Sequence, residues 1–108
     1  AIADLREGET VLDLGCGGGL DVFLAAQSVG PSGRVVGVDA SPEMVARARM
    51  NAAGGGFCNV RFMQAAIEDL PLDDGEFDVV LSNCVMNHGA DKVAAFAEAH
   101  RVLKPGGR

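Results

Sequence analysis

The sequence predicts an α/β chain with a doubly wound parallel sheet, and three observations predict it. Short apolar runs recur at residues 10–14, 34–38, 60–63 and 77–81, each bounded by glycine or polar residues, as buried strands are. Stretches of helical periodicity and capping lie between or after them. A turn holding Gly15, Gly17, Gly18 and Gly19 joins the first strand to the first helix. Strands that alternate with helices form a parallel sheet with right-handed crossovers, and the strand order expected here is 3-2-1-4.

The elements follow in order. Val11, Leu12 and Leu14 make the first strand apolar. The helix after the glycine turn covers residues 21–29, with Leu20, Phe23, Leu24 and Ala26 expected inward, and the Gly-Pro-Ser-Gly turn at residues 30–33 stops it. The second strand ends at Asp39. Ser41 then offers an N-cap, Pro42 fits the first helical position, and Glu43 complements the helix dipole. Met44, Val45 and Ala48 are its expected apolar face, and Gly54, Gly55 and Gly56 end it, one of them as a left-handed cap. The third strand covers residues 60–63. Residues 65–72 read as a loop with one helical turn, and a turn at residues 73–75 precedes the fourth strand. Asp91 opens a last helix whose expected apolar residues are Val93, Phe96, Ala97 and Leu103, ended by Pro105 and Gly106.

Composition narrows the function. A chain of 108 residues is one domain by size. Its net charge is −6, with no Lys/Arg cluster, which argues against nucleic acid and anionic membranes as partners. No apolar run reaches the roughly 20 residues of a membrane span. Cys16, Cys58 and Cys84 are odd in number and widely spaced. They form neither a disulfide framework nor a zinc ribbon, and they suit a reducing, cytoplasmic location.

Strand, glycine turn, helix, strand and terminal acid in that order open a nucleotide-binding unit. Asp39 falls about 20 residues after the last glycine of the turn, where such folds place a carboxylate on ribose hydroxyls. Glycine lets the backbone turn with positive φ and lets a ligand lie against it. The dinucleotide pattern G-x-G-x-x-G is not met, because its third glycine is Leu20 here. Asp13, just before the turn, would oppose a pyrophosphate and suits a cationic ligand. S-adenosylmethionine carries a sulfonium, an ammonium and a ribose without phosphate, so the loop favours it over NAD. A nicotinamide-binding Rossmann domain is the alternative that tight NAD binding would restore.

The motifs VLDLGCGGG, VGVDASPEMV, FDVVLSN and RVLKPGGR resemble those of class I S-adenosylmethionine-dependent methyltransferases across nearly the whole chain. GGGLDVFLAA, VGPSGRVVGVD and SNCVMN followed by DK resemble the arsenite methyltransferases in particular. The resemblance implies a Rossmann-like core and these roles. Asp13, Gly15, Cys16 and Gly17 line the methionine and ribose portion. Asp39 takes the ribose hydroxyls, Ala40 borders the adenine, Ala66 and Ile67 flank its edge and face, and Asn83 lies near the methionine end. Cys84 matches a cysteine that binds trivalent arsenic. Three departures accompany the likeness. The helix position of a further arsenic-binding cysteine is Val22, and another such cysteine lies beyond residue 108. The acid that meets the adenine amino group in the family is Ala66 here.

The resemblance further implies that the chain is one partial domain, residues 1–108, lacking the C-terminal strands. From this follow an exposed fourth strand and a homodimer or a swapped assembly through it. The expected partner is a small-molecule methyl acceptor, arsenite or another thiol or small molecule. A non-catalytic module that binds S-adenosylmethionine stays open as a rival reading. Cys16 and Cys84 end neighbouring strands and are placed to share a ligand, whereas Cys58 lies at the opposite end of the sheet. Glu68 and Asp69 read as a solvated loop, His100 as structural or solvated, and His88 follows the fourth strand near the site. The methionines Met44, Met50, Met63 and Met86 read as core filler.

Overall fold

The structure, a computed structural model, describes residues 4–82 and 92–108. Its elements are β1 (Thr10–Leu14), α1 (Leu20–Val29), β2 (Arg34–Asp39), α2 (Pro42–Gly55), β3 (Val60–Gln64), β4 (Val79–Ser82) and α3 (Lys92–Val102). The four strands form one sheet in the order β3-β2-β1-β4. All three pairings are parallel, with Leu12 beside Val36 and Val80, and Leu14 beside Val38 and Ser82. The expected topology is therefore the observed one.

Strand side chains alternate between the two faces, and each face has its own core. Val11, Val35, Phe62 and Val79 pack with Val22, Ala25, Ala26 and Val29 of α1 and Val45, Ala48 and Ala52 of α2. Leu12, Leu14, Val36 and Val38 pack on the other face with Ile67, Leu70, Phe77 and with Ala95 and Val102 of α3. Burying a valine or leucine side chain contributes about 1.5–3 kcal/mol, so the central strands β1 and β2, apolar on both faces, anchor the fold. Phe23 stacks on Phe57 at a centroid distance of 4.7 Å and meets Phe62 edge-on at 5.8 Å. This trio joins α1 to the end of α2 and to β3.

Ser41 caps α2 as expected. Its hydroxyl accepts from the Met44 amide at 3.3 Å, Pro42 follows it, and Gly56 closes the other end with φ 71°. Residues 65–72 contain a single turn, in which the Asp69 amide donates to the Ala66 carbonyl, and no helix.

Several facings are corrected. Leu20 and Leu24 are 71% and 46% exposed; Val22, Ala25, Ala26 and Val29 are the buried stripe of α1. Val93 and Phe96 point outward, Ala97 is exposed, and Leu103 lies beyond the end of α3. The sheet face is instead met by Ala95 and Val102, small or branched residues that let the helix lie close. Met50 is exposed rather than core filler. β4 begins at Val79, because Phe77 forms an isolated parallel bridge with Leu103. The Val80 amide donates to the Arg108 carbonyl, and the Arg108 amide to Asp78. The last residues thus run alongside β4 and cover part of its outer edge.

Candidate functional site

β1 and β2 end together at the carboxyl edge of the sheet, and the glycine turn is stitched to both. The Gly15 and Cys16 amides donate to the Val38 carbonyl at 2.7 and 3.0 Å. Gly15, Gly17 and Gly19 hold φ of 73°, 54° and 95°, values that side-chain-bearing residues rarely adopt. The turn therefore folds tightly over the strand ends, and α1 starts from it without a side-chain cap.

Asp39 closes this arrangement. One carboxylate oxygen accepts from the Gly17 amide and the other from the Ser41 amide, each at 2.9 Å. The same acid thus fixes the glycine turn to the start of α2. A carboxylate has about four lone-pair sites, so two bonds leave capacity for ribose hydroxyls. Ala40 follows it, exposed, and its carbonyl accepts from the Gln64 side chain at 3.3 Å. The Ala65 amide donates to the Asp39 carbonyl. Ala66 is exposed and Ile67 is buried just beyond.

Asp13 lies one strand over, 1% exposed. Among the described residues its Oδ1 has no hydrogen-bond partner. Burial, with the Asp21 and Asp39 carboxylates adding to it, pushes its carboxyl up to about 7. Beside it opens a cleft of about 590 Å³ lined by Asp13, Gly15, Cys16, Gly18, Asp21 and Asn51, among others. A buried acceptor without a partner costs about 1–3 kcal/mol, and a cationic ligand in this cleft would remove that cost. The residues therefore fit a ligand with an ammonium or sulfonium group better than one with a pyrophosphate.

Cys16 is 8% exposed and packs over Gly37. Burial, reinforced by Asp13 and Asp39, pushes its thiol up to about 12. It stays protonated at neutral pH, so it is a packing residue of the cleft wall and a poor thiolate ligand. Cys58 is exposed at the amino end of β3, away from this edge. Val22, where a further cysteine would stand, is fully buried in α1. His100 is exposed on α3. Asn83, Cys84, Met86, His88 and Asp91 lie outside the described residues, and so does the proposed Cys16–Cys84 approach. Among the described residues no group of three or more His, Cys, Asp or Glu could hold a metal ion. No described helix is long and apolar enough to cross a membrane.

The structure brings Asp13, Gly15, Cys16, Gly17, Asp39, Ala40, Ala66 and Ile67 to one edge of the sheet. Sequence reasoning missed Asp21, Asn51 and Arg101. Asn51 of α2 donates to the carbonyl of Gly18 in the glycine turn at 3.1 Å. Arg101 donates to the Leu70 and Leu72 carbonyls at 3.0 and 2.8 Å, and so fastens residues 70–72 to α3. No periodicity or spacing marks such contacts in the sequence.

Residues 5–108 match the family model described as a methyltransferase domain. The chain is 52% identical over its full length to an arsenite methyltransferase of Halobacterium salinarum, covering 28% of that protein. It is 40% identical to a demethylmenaquinone methyltransferase of Lactococcus lactis, over 94% of the chain and 40% of that protein. Among solved structures it superposes on an arsenic(III) S-adenosylmethionine methyltransferase from Chlamydomonas reinhardtii with a TM-score of 0.91. That match has 43% identity over 98% of the chain and 38% of the other. The chain therefore spans less than half the length of each of these proteins. With its 3-2-1-4 parallel sheet, glycine turn and strand-end acid, the chain belongs to the methyltransferase-domain family, whose cofactor is S-adenosylmethionine.

Proposed function

We propose that the chain binds S-adenosylmethionine at the carboxyl edge of β1 and β2 and serves methyl transfer to arsenite. The observation that carries the binding site is Asp39 bridging the Gly17 and Ser41 amides beside an Asp13 oxygen that has no partner among the described residues. When bound, S-adenosylmethionine would supply an electrophilic methyl group on a sulfonium, with the neutral thioether S-adenosylhomocysteine as the in-line leaving group that takes the electron pair of the broken C–S bond. The protein contributes position. Asp13 faces the cationic amino-acid portion, with Gly15, Cys16 and Gly17 as the wall beside it. Asp39 accepts from the ribose hydroxyls. Ala40, Ala66 and Ile67 border the adenine. By the resemblance, Asn83 would serve the methionine end and the Cys84 thiolate, a soft ligand for a thiophilic centre, would hold the arsenic.

Arsenite is favoured as acceptor by the 52% identity to the Halobacterium protein and by the SNCVMN segment. The demethylmenaquinone methyltransferase likeness supports a second reading, transfer to a quinol carbon. Incubating the chain with S-adenosylmethionine, a thiol and either arsenite or a demethylmenaquinol analogue separates the two. Methylated arsenical that disappears in Cys84→Ser supports the proposal. Methylated quinol alone assigns the other acceptor. Cofactor binding without any methylated product makes the chain a non-catalytic cofactor-binding unit.

A further inference from the structure

Residues 65–74 leave the carboxyl end of β3 and cross the α3 face of the sheet before β4. Their first hydrogen bond ties them to the site, from the Ala65 amide to the Asp39 carbonyl at 3.1 Å. Ile67 and Leu70 then sink into the core with Leu14, Val38 and Val102. Beyond Leu70 the segment has no strand partner, and one side chain takes over. Arg101 of α3 donates through two guanidinium nitrogens to the Leu70 carbonyl at 3.0 Å and the Leu72 carbonyl at 2.8 Å. The same guanidinium meets Glu98 and Asp74, each at 2.6 Å, and the Arg101 carbonyl accepts from the Gly75 amide at 2.9 Å. Arginine's planar fork suits this, because it presents several donors in fixed directions where a lysine ammonium is a point. The clamp is part of the fold's architecture and touches no residue of the glycine turn.

The location of the clamped segment gives it a consequence. A ligand with its ribose on Asp39 and its charged end over Asp13 and β1 must direct its base the other way along the sheet edge, toward β3. There it meets Ala40 and residues 65–67. Neither Ala66 nor Ile67 has a polar side chain, so at these positions the edge of the base meets backbone groups. Backbone groups can discriminate only if the segment is held still. We infer that Arg101 is a positioning residue for base recognition: by clamping the Leu70 and Leu72 carbonyls it fixes the segment that reads the adenine edge. The inference rests on the cofactor reading above.

Calorimetric titration of the chain with S-adenosylhomocysteine and S-inosylhomocysteine tests it, since these ligands differ at the 6-position of the base, an amino donor in one and a carbonyl acceptor in the other. Wild type is expected to favour the adenosyl ligand. In Arg101→Gln and in Arg101→Lys, which keeps the charge beside Glu98 and Asp74 but loses the fork, that preference should narrow roughly fivefold to tenfold, the effect of one displaced neutral hydrogen bond. Arg34→Gln, which removes the exposed Arg34–Glu76 ion pair, should leave the preference unchanged. Loss of stability alone would lower the folded fraction without altering the ratio. An unchanged ratio in a folded Arg101 variant overturns the inference and leaves the cofactor reading standing. Wild type that binds both ligands equally overturns it as well. Wild type that binds neither overturns the cofactor reading and the inference with it.

Discussion

Among the described residues the Asp13 Oδ1 has no hydrogen-bond partner, although the side chain is buried. The folded chain keeps the proton on this carboxyl up to about pH 7, whereas an ordinary aspartate releases it near 3.8. Between these values the unfolded state binds fewer protons than the folded one, so stability falls as pH rises and levels off above 7. From about pH 5 to about pH 8 the loss attributable to Asp13 is on the order of 2–3 kcal/mol. Asp13→Asn has no proton to lose, and chemical denaturation across that range should show a much flatter profile. A variant profile as steep as wild type would mean the slope arises elsewhere. Cys16 belongs to the same residue scale: with its thiol pushed up to about 12 beside two carboxylates, it is a wall of the cleft. This differs from a cysteine chosen for reactivity, although the two look alike in GCGGG.

At the scale of elements, β2 depends on Gly37 as much as on its valines. A methyl group there would stand 2.9 Å from the Phe62 ring and 3.0 Å from the Cys16 sulfur. Its φ is unexceptional, so the requirement is space. Gly37→Ala should cost about 1–3 kcal/mol by overpacking, read as a lower urea midpoint with unchanged slope; a midpoint equal to wild type would show that Cys16 and Phe62 yield freely. The strands, the turn, Asp39 and the Ser41 cap were legible in the sequence because each depends on local chemistry: apolar runs, positive φ, a terminal acid, a hydroxyl before proline. The inward faces of α1 and α3 were not. Leu20, Leu24, Val93 and Phe96 look like core residues, yet the crossover geometry turns Val22, Ala25, Ala95 and Val102 to the sheet. A helix that lies flat on strands accepts small and branched side chains, and periodicity alone does not choose between two apolar stripes. Phe77 failed as a strand residue for a related reason, since its partner is Leu103, 26 positions away in the chain. The hold of Arg101 on residues 70–72 was invisible because what it grips there are backbone carbonyls, which leave no signature in side-chain pattern.

For the molecule as a whole, the two-faced sheet places every described candidate residue on one edge, from Asp13 over β1 to Ile67 beyond β3. The far end of the chain braces the near end: the Arg108 guanidinium meets Glu9 at 2.8 Å and also donates to the Asp4 carbonyl. Lys104 pairs with Asp78, which also accepts from the Thr10 amide. These links hold β1 and β4 in register beneath the site. We propose that this edge is a cofactor site organised by Asp39. Calorimetric titration with S-adenosylmethionine and S-adenosylhomocysteine, on wild type and Asp39→Ala, tests it most directly. Saturable binding of both ligands by wild type, weakened at least about tenfold in a folded Asp39→Ala as befits losing a charge-assisted hydrogen bond, is the predicted result. Equal affinity in the two proteins, or no binding by wild type, would contradict it.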